Sequence, residues 1–401
     1  MINFDLQKDL GFKWYSRGAI NVKGYAYLNN TYLQGISFID FFEKIKSKKD
    51  FSDNIKKLNG CFLVVLQLEN YVFFAVDHIR SIPIFFSVNP SIIVTDSPEK
   101  YFFLDQNINV RQIQSIVLSG FSTGKETLHS NIFQIQAGEY GVINVNNKTY
   151  SIFSYYSHKK IISIKKENKF EYDCLHGISL NVFKRLIKSL NNRPAVIPLS
   201  GGYDSRYIAA YLKHLNYENV ICYSYGKKNS YEVKIAKNVA KNLGYEWHFV
   251  EYNFKAWDLY FTKSANNYVN NSHALSSLPH IQDFPAISIL TENKIIPSDS
   301  IIIPGYCGDY LGGSLFPSKT FFLNSKISKL LLINYIYEIK YSLINDKSSF
   351  KNFEDYIFSE LDSDFGDINN EYDFIDAYEL WIIKNYISKF IVNSVRFFEH
   401  F

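Results

Sequence analysis

Residues 196–206 constrain the fold of this chain most strongly, because an apolar run ends there in two glycines. The run leads into Ser200, Gly201 and Gly202, and a helix-competent segment follows at once. This order predicts a buried strand, a tight turn and the first turn of a helix. The glycines permit backbone conformations closed to other residues and let a ligand approach main-chain N–H groups. Together with the helix dipole, these groups predict an anion site.

Side chains of the same stretch are candidate ligands for a phosphate and a metal ion. The hydroxyls of Ser200 and Ser205 can donate hydrogen bonds, and Asp204 can hold a divalent cation. The stretch lacks the Gly-Lys-Ser/Thr of a Walker-type loop. It resembles the pyrophosphate loop, Ser-Gly-Gly-x-Asp-Ser, of enzymes that split ATP into AMP and pyrophosphate. An ordinary strand-to-helix turn is the alternative interpretation.

The composition indicates a globular protein with room for two domains. The chain has 401 residues, 47% of them hydrophobic and 20% charged, and a net charge of +4. This weak charge gives no electrostatic case for nucleic acid or an anionic membrane as a partner. The four cysteines have no paired spacing, which argues against a zinc site or a disulfide framework. Residues 1–14 have no apolar core, so we expect no secretory signal and a cytoplasmic protein.

Residues 24–156 have the pattern of short strands joined by turns. Residues 61–68 and 71–76 predict a hairpin, and few helical segments interrupt the run of strands. The other predicted elements are strands at 83–86, 92–95 and 139–145 and a helix at 110–118. This succession of strands with few helices predicts an antiparallel α+β layer.

Two motifs in this part resemble a known family. Residues 58–62 read Leu-Asn-Gly-Cys-Phe, and residues 77–86 read Asp-His-Ile-Arg-Ser-Ile-Pro-Ile-Phe-Phe. Their order and spacing are similar to those in the glutaminase half of asparagine synthetases. The resemblance implies an α+β, Ntn-hydrolase-type sandwich over residues 1–158.

This chain departs from the family pattern at its second residue. That glutaminase uses, as its nucleophile, the cysteine exposed at the N-terminus once Met1 is removed. This chain has Ile2 there, and its first cysteine, Cys61, falls inside a predicted strand. We therefore expect this half to keep the fold without glutamine hydrolysis, with Cys61 as a small core residue.

The second half has the pattern of a parallel sheet. Residues 159–169 are basic and polar and predict an interdomain linker, and a helix is predicted at 170–190. Strand–loop–helix units follow, which place a nucleotide at the carboxyl ends of the strands. The predicted elements are strands at 219–225, 246–250 and 301–303 and helices at 203–215, 230–243, 254–270 and 283–291.

The predicted division of the chain is therefore 1–158, 159–169 and 170–401. The last part is expected to be an α/β adenine-nucleotide α-hydrolase (PP-loop) domain whose C-terminal part is helical. Its second strand ends at Ser224 and Gly226, where we expect adenine to bind mainly through backbone groups.

A second apolar strand enters a glycine-rich turn at residues 301–313. The turn resembles the Ser-Gly-x-Gly-x-Asp-Glu-x-x-Gly-Gly of asparagine synthetases, which implies that Gly308 contacts the nucleotide and Asp309 binds metal. Asp204 and Asp309 would then share Mg²⁺ on pyrophosphate oxygens. A surface turn residue is the alternative for Asp309. The glutamate that follows in the family is Tyr310 here.

The end of the chain resembles the family helix whose lysine stabilises the acyl-adenylate transition state. Lys389 is the candidate for that role, with a solvated lysine as the alternative. Relatives continue into a segment that closes the pocket, so ending at Phe401 puts full activity in question. No metal-binding spacing joins the histidines, and we interpret His280 as structural, with a place in the lining of the substrate pocket as the alternative.

These features predict an ATP-dependent amide ligase of the asparagine synthetase superfamily. It would use ATP and Mg²⁺ to adenylate a small carboxylic acid, with ammonia or an amine as the nitrogen donor, supplied freely or by a separate glutaminase. Resemblance to specialised members implies a sugar acid of a surface polysaccharide. The alternatives are a tRNA-modifying adenylating enzyme, disfavoured by the weak charge, and an impaired homologue that binds nucleotide and regulates a partner.

Overall fold

The structure of the protein is a computed structural model. This structure describes residues 2–6, 10–105, 107–157, 172–258, 263–323, 325–345 and 351–401. Short strands dominate the first part of the chain. The strands are β1 (Ile2–Asp5), β2 (Trp14–Arg17), β3 (Ile20–Leu28), β4 (Thr31–Gln34), β5 (Leu58–Leu68), β6 (Tyr71–Val76), β7 (Phe85–Ser87), β8 (Ile92–Thr95), β9 (Phe133–Gln134), β10 (Glu139–Asn144), β11 (Thr149–Ser154), β12 (Ala195–Pro198), β13 (Val220–Gly226), β14 (Glu246–Glu251) and β15 (Ile301–Ile302).

Helices alternate with strands in the middle of the chain and dominate its end. They are α1 (Ile36–Phe42), α2 (Lys48–Ile55), α3 (Glu99–Asp105), α4 (Val110–Ser119), α5 (Tyr172–Leu190), α6 (Tyr203–His214), α7 (Tyr231–Leu243), α8 (Phe254–Asp258), α9 (Lys263–Ser272), α10 (Phe284–Glu292), α11 (Gly308–Leu311), α12 (Lys319–Leu323), α13 (Lys329–Lys340), α14 (Lys351–Asp364), α15 (Glu371–Trp381) and α16 (Val392–Arg396). Ile382–Ile391 is a π-helix, and Phe397–His400 is a 3₁₀-helix. Within the described ranges, no helix has the length and apolar character needed to cross a bilayer.

The contacts between residues divide the chain into two compact units. The first is Met1–Lys160 with Asn270–Pro279 and Pro317–Arg396, and the second is Ile161–Val269 with His280–Phe316 and Phe397–Phe401.

The first unit contains two sheets. The larger is antiparallel, in the order β11-β10-β6-β5-β3-β2, with β4 also paired to β3. The smaller has the order β1-β8-β7-β9, in which only the β1–β8 pair is parallel. The α+β layer predicted from the strand pattern is therefore present, with the hairpin β5–β6 near the middle of the larger sheet.

Strand β5 shows how the sequence forms two cores in this unit. Successive side chains of a strand point to opposite faces. Leu63 and Val65 pack in the core shared with strands β7 and β8 of the smaller sheet. Phe62 and Val64 pack in a second core with Phe38 and other residues of helices α1 and α2. The long apolar run of β5 is thus explained by burial on both faces.

Residues 317–396 pack within the first unit, which differs from the predicted division of residues 170–401 as one domain. The Arg80 guanidinium is 1% exposed and donates to the carbonyl oxygen of Ser388 in the π-helix at 2.9 Å. The backbone N–H of Leu343 donates to the carbonyl of Leu118 at 3.0 Å. These contacts join segments far apart in sequence, which a reading in chain order cannot show. The predicted linker at 159–169 lies outside the described residues.

The second unit is built on a parallel sheet in the order β14-β13-β12-β15. Ala195 and Ile197 of β12 face a core formed with helices α5, α6 and α7. Val196 faces the opposite core, which includes residues of α10. The parallel α/β sheet predicted from the strand–helix alternation is confirmed, and all four strands direct their carboxyl ends to one edge.

We predict that Gly141→Ala destabilises the first unit through its packing alone. A Cβ at Gly141 would lie 2.3 Å from the ring of Phe74, which is fully buried. Overpacking of this kind costs about 1–3 kcal/mol of unfolding free energy, measurable by urea denaturation. The matched control is Gly366→Ala, because Gly366 is exposed and a Cβ there meets no atom within 4 Å. Equal stability of the two variants would contradict this prediction.

Candidate functional site

The loop between β12 and α6 is closed by its own serine hydroxyls. The Ser200 N–H donates to the Ser205 hydroxyl oxygen at 3.0 Å, and the two hydroxyl oxygens are 3.1 Å apart. The Gly202 N–H donates to the Ser200 hydroxyl oxygen at 3.1 Å. Ser205 is buried, whereas Ser200 and Gly202 are exposed. The loop therefore has a fixed shape with its outer surface open to a ligand.

Gly201 is needed for space and not for an unusual backbone conformation. Neither Gly201 nor Gly202 has a positive φ, so neither uses the left-handed conformations that glycine permits. A Cβ at Gly201 would lie 3.0 Å from the Cα of Glu232, in the first turn of α7. A side chain would therefore push the loop away from α7.

The second glycine-rich loop lies directly against Asp204. A Cβ at Gly308 would lie 1.9 Å from the Asp204 carboxyl carbon, and one at Gly305 would lie 3.1 Å from the Ser205 nitrogen. Gly308 immediately precedes Asp309, which is exposed and accepts a hydrogen bond from the Ser314 hydroxyl at 3.2 Å. The structure thus brings together two predicted loops about a hundred residues apart in sequence.

These two aspartates suit a magnesium ion that takes most of its ligands from a substrate. Among the described residues, no group of three or more His, Cys, Asp or Glu is arranged to hold a metal ion. Mg²⁺ is commonly bound by one or two carboxylates together with phosphate oxygens and water. The Asp204 carboxylate lies directly over Gly308, the residue before Asp309.

The predicted adenine contacts lie at the end of β13. The Ser224 hydroxyl donates to the Leu199 carbonyl at 2.6 Å and accepts from the Trp247 indole at 2.9 Å, so it fastens neighbouring strands together. Gly226 ends the strand with φ of 126°, a conformation that favours glycine. A cavity of about 150 Å³ lies beside these strand ends and is lined by Ser200, Ser224, Tyr225, Glu232, Gln282 and neighbouring residues.

A buried carboxylate that the sequence did not reveal lies at the same edge of the sheet. Asp283 is 1% exposed and comes directly before α10. Its carboxylate accepts hydrogen bonds from Tyr223 at 3.0 Å, Tyr225 at 3.2 Å, Tyr306 at 3.1 Å and His280 at 2.7 Å. The interpretation of His280 as structural agrees with this contact.

The Asp283 cluster joins the end of β13 to the loop that carries Asp309. Burial, followed by the charge of Asp283, raises the pKa of Tyr223, Tyr225 and Tyr306, so all three stay protonated as hydrogen-bond donors. Tyr306 lies three residues before Asp309. No motif marks Asp283, because three of its four partners, Tyr223, Tyr225 and Tyr306, come from two other segments of the chain. Spacing along the chain therefore carries no signal for it.

Two further residues considered in the sequence lie in the first unit. The Lys389 ammonium is 1% exposed and donates to the carbonyls of Ser122 and Gly124, both at 2.7 Å, and to the Asn385 side chain at 3.0 Å. Its role toward an acyl-adenylate stays a prediction. Burial raises the pKa of the Cys61 thiol to about 11, which makes it a poor nucleophile at neutral pH.

A model of a known protein family matches the central part of the chain. Residues 187–260 match the asparagine synthase family model, and this segment includes the loop at Ser200 and strand β13. The 7-cyano-7-deazaguanine synthase of Staphylococcus aureus (strain bovine RF122 / ET3-1) is 32% identical over 63 residues, or 16% of this chain. The match spans only 28% of the length of that relative. The family match supports the predicted superfamily for this segment.

Similar solved structures include a synthetase and an amidotransferase. The NH3-dependent NAD synthetase from Campylobacter jejuni is 14% identical, covering 47% of this chain and 90% of that one, with a TM-score of 0.25. The glutamine phosphoribosylpyrophosphate amidotransferase from B. subtilis is 9% identical, covering 59% and 47%, with a TM-score of 0.23. TM-scores this low carry no argument about the fold, so the evidence for the fold is the arrangement of strands and helices described above.

We predict that Asp283→Asn destabilises the second unit. In the variant, the N–H groups of the new amide would face hydroxyl and imidazole groups that now donate hydrogen bonds to the Asp283 carboxylate. The expected loss is about 2–4 kcal/mol of unfolding free energy. Denaturant unfolding followed by tyrosine and tryptophan fluorescence measures this change. The matched control is Asp299→Asn, at an exposed aspartate of the same unit. A difference of less than about 0.5 kcal/mol between the variants would contradict the prediction.

Proposed function

We propose that this protein is an ATP-dependent amide ligase that adenylates a small carboxylic acid and then transfers ammonia or an amine to it. The observation that carries the proposal is the contact of Asp204 with Gly308, which brings a phosphate-type loop and a second aspartate loop to one edge of a parallel sheet. The asparagine synthase match over residues 187–260 supports the same reaction class.

The chemistry assigns separate tasks to the two loops. The exposed N–H groups and the Ser200 hydroxyl would bind the pyrophosphate part of ATP at the start of α6. Asp204 and Asp309 would hold Mg²⁺, which neutralises charge on the leaving pyrophosphate. In the first step a carboxylate oxygen bonds to the α-phosphorus, and the bond to the β-phosphate oxygen breaks with its electron pair. In the second step the nitrogen nucleophile would bond to the acyl carbon, the bond from that carbon to the phosphate oxygen would break with its electron pair on AMP, and the nitrogen would lose a proton to water.

The first unit fits a glutaminase-type sandwich that supplies no ammonia of its own. Support comes from its two packed sheets, the motif in β5 and the high pKa of the Cys61 thiol. Free ammonia or a separate glutaminase would then be the nitrogen source. Incubation with glutamine and measurement of released ammonia tests this, and steady glutamine hydrolysis would contradict it.

A second candidate function is a homologue that binds nucleotide without forming amide bonds. Lys389 favours it, because its ammonium has three N–H donors and all three are engaged by protein oxygens. Tyr310, where asparagine synthetases have glutamate, is the other observation that favours it.

Exchange of labelled pyrophosphate into ATP tests the proposal and separates the two candidates. With Mg²⁺ and a panel of acids that begins with sugar carboxylates, a ligase is expected to show acid-dependent exchange. Binding of ATP by equilibrium dialysis without exchange for any acid would favour the second candidate. Absence of both binding and exchange in a folded sample would contradict both.

We predict that Gly308→Ala lowers this exchange about 100-fold, because the new methyl group would displace Asp204 or the Asp309 loop. The matched control is Gly312→Ala in the same turn, where φ is −76° and the nearest atom to a Cβ is 3.2 Å away. The control is expected to exchange at close to the wild-type rate. Equal rates for the two variants would show that this contact is unimportant for the reaction.

A further inference from the structure

Arg206 lies one turn into α6, and its side chain returns to the phosphate loop. Side chains of a helix lean toward its N-terminus. The Arg206 Nε donates to the Gly202 carbonyl at 2.8 Å, and the guanidinium carbon lies 4.4 Å from the centre of the Tyr203 ring. The Tyr203 side chain is itself 83% exposed. The Gly202 carbonyl and the Tyr203 ring thus hold the guanidinium next to the last residue of the loop between β12 and α6.

The position is electrostatically unfavourable for a cation that has no anion to bind. The N-terminus of a helix carries partial positive charge, so arginine in its first turns is repelled. Within the described part of the chain, Arg206 has no carboxylate partner, and its two terminal amino groups donate to no residue. Asp204, two positions earlier, does not compensate, since residues at this spacing do not face each other on a helix.

We propose that Arg206 binds the pyrophosphate part of ATP and stabilises pyrophosphate as the leaving group. This inference rests on the proposed function and adds a residue that the Ser-Gly-Gly-x-Asp-Ser pattern does not include. The guanidinium presents a planar pair of N–H groups that matches two phosphate oxygens. As the bond from the α-phosphorus to the bridging oxygen breaks, negative charge grows on pyrophosphate. Arg206 faces that charge without any proton transfer.

The test compares the binding of magnesium pyrophosphate and of AMP by isothermal titration calorimetry. Arg206→Ala is expected to weaken pyrophosphate binding about 10-fold to 100-fold, as loss of charge-assisted hydrogen bonds does, and to leave AMP binding within about 2-fold of wild type. Arg206→Lys is expected to recover part of the loss, because it keeps the charge without the planar fork.

The matched control is Arg193→Ala in the same unit. The Arg193 guanidinium also donates to helix carbonyls, those of Leu190 and Ser189, both at 2.9 Å. It precedes β12, at the amino end of the sheet, away from the loop. A general loss of packing would weaken AMP and pyrophosphate binding together, whereas the proposed role weakens pyrophosphate alone.

The outcomes distinguish this inference from the proposed function. Pyrophosphate binding by Arg206→Ala equal to that of wild type would overturn the role of Arg206 and leave the ligase proposal standing. Parallel loss of AMP binding would overturn it in favour of a structural role. Failure of the wild-type protein to bind either ligand would overturn the ligase proposal and this inference with it. Tyr203→Ala, expected to weaken pyrophosphate binding about 2-fold to 5-fold, checks the stacking contribution separately.

Discussion

No side chain fits between Asp204 and the loop that carries Asp309, and the geometry at the carboxyl edge of the parallel sheet depends on this constraint. A Cβ on Gly308 would lie 1.9 Å from the Asp204 carboxyl carbon. The contact fixes the start of α6 against the loop after β15, although β12 and β15 pair over only two residues. Because glycine has no Cβ, residue 308 lets the loop that carries Asp309 approach the Asp204 carboxylate this closely.

Polar networks hold the two sides of this contact in place. On one side, the hydroxyls of Ser200 and Ser205 close the phosphate loop around its own N–H groups. On the other, the buried Asp283 carboxylate accepts hydrogen bonds from the tyrosine hydroxyls of β13 and from the hydroxyl of Tyr306. A buried carboxylate is costly unless it accepts several hydrogen bonds, and this one accepts four. Both networks lie at the same edge of the sheet, where Ser200 and Gly202 stay exposed.

Two buried cationic side chains of the first unit, Arg80 and Lys389, donate hydrogen bonds to protein oxygens. Arg80 donates to the Ser388 carbonyl and to the Gln134 side chain, and Lys389 donates to the carbonyls of Ser122 and Gly124. The π-helix Ile382–Ile391 carries both Ser388 and Lys389. Such helices are rare and often occur at functional sites. Here the segment is bound by the chain's own sheets and loops, which gives Lys389 a structural task whatever else it does.

Local sequence patterns determined most of the elements in this protein. The alternation of apolar strands and amphipathic segments predicted the parallel sheet, and the helix predicted at 230–243 forms α7 over Tyr231–Leu243. Residues 203–215 were predicted as a helix and form α6 over Tyr203–His214. The helix predicted at 254–270 appears as α8 and α9, separated by residues outside the described ranges. These features are readable because periodicity and caps act over a few neighbouring residues.

Tertiary structure alone decided which distant residues meet. The sequence suggested that Gly201 was needed for its conformational freedom, but the fold requires it because helix α7 passes close by. Asp283 carries no motif, and the assignment of residues 317–396 to the first unit has no local signal. The roles of Asp204, Asp309 and Lys389 in catalysis stay predictions. Local patterns specify which segments form helices and strands, whereas close packing of side chains from separate segments specifies the contacts between them.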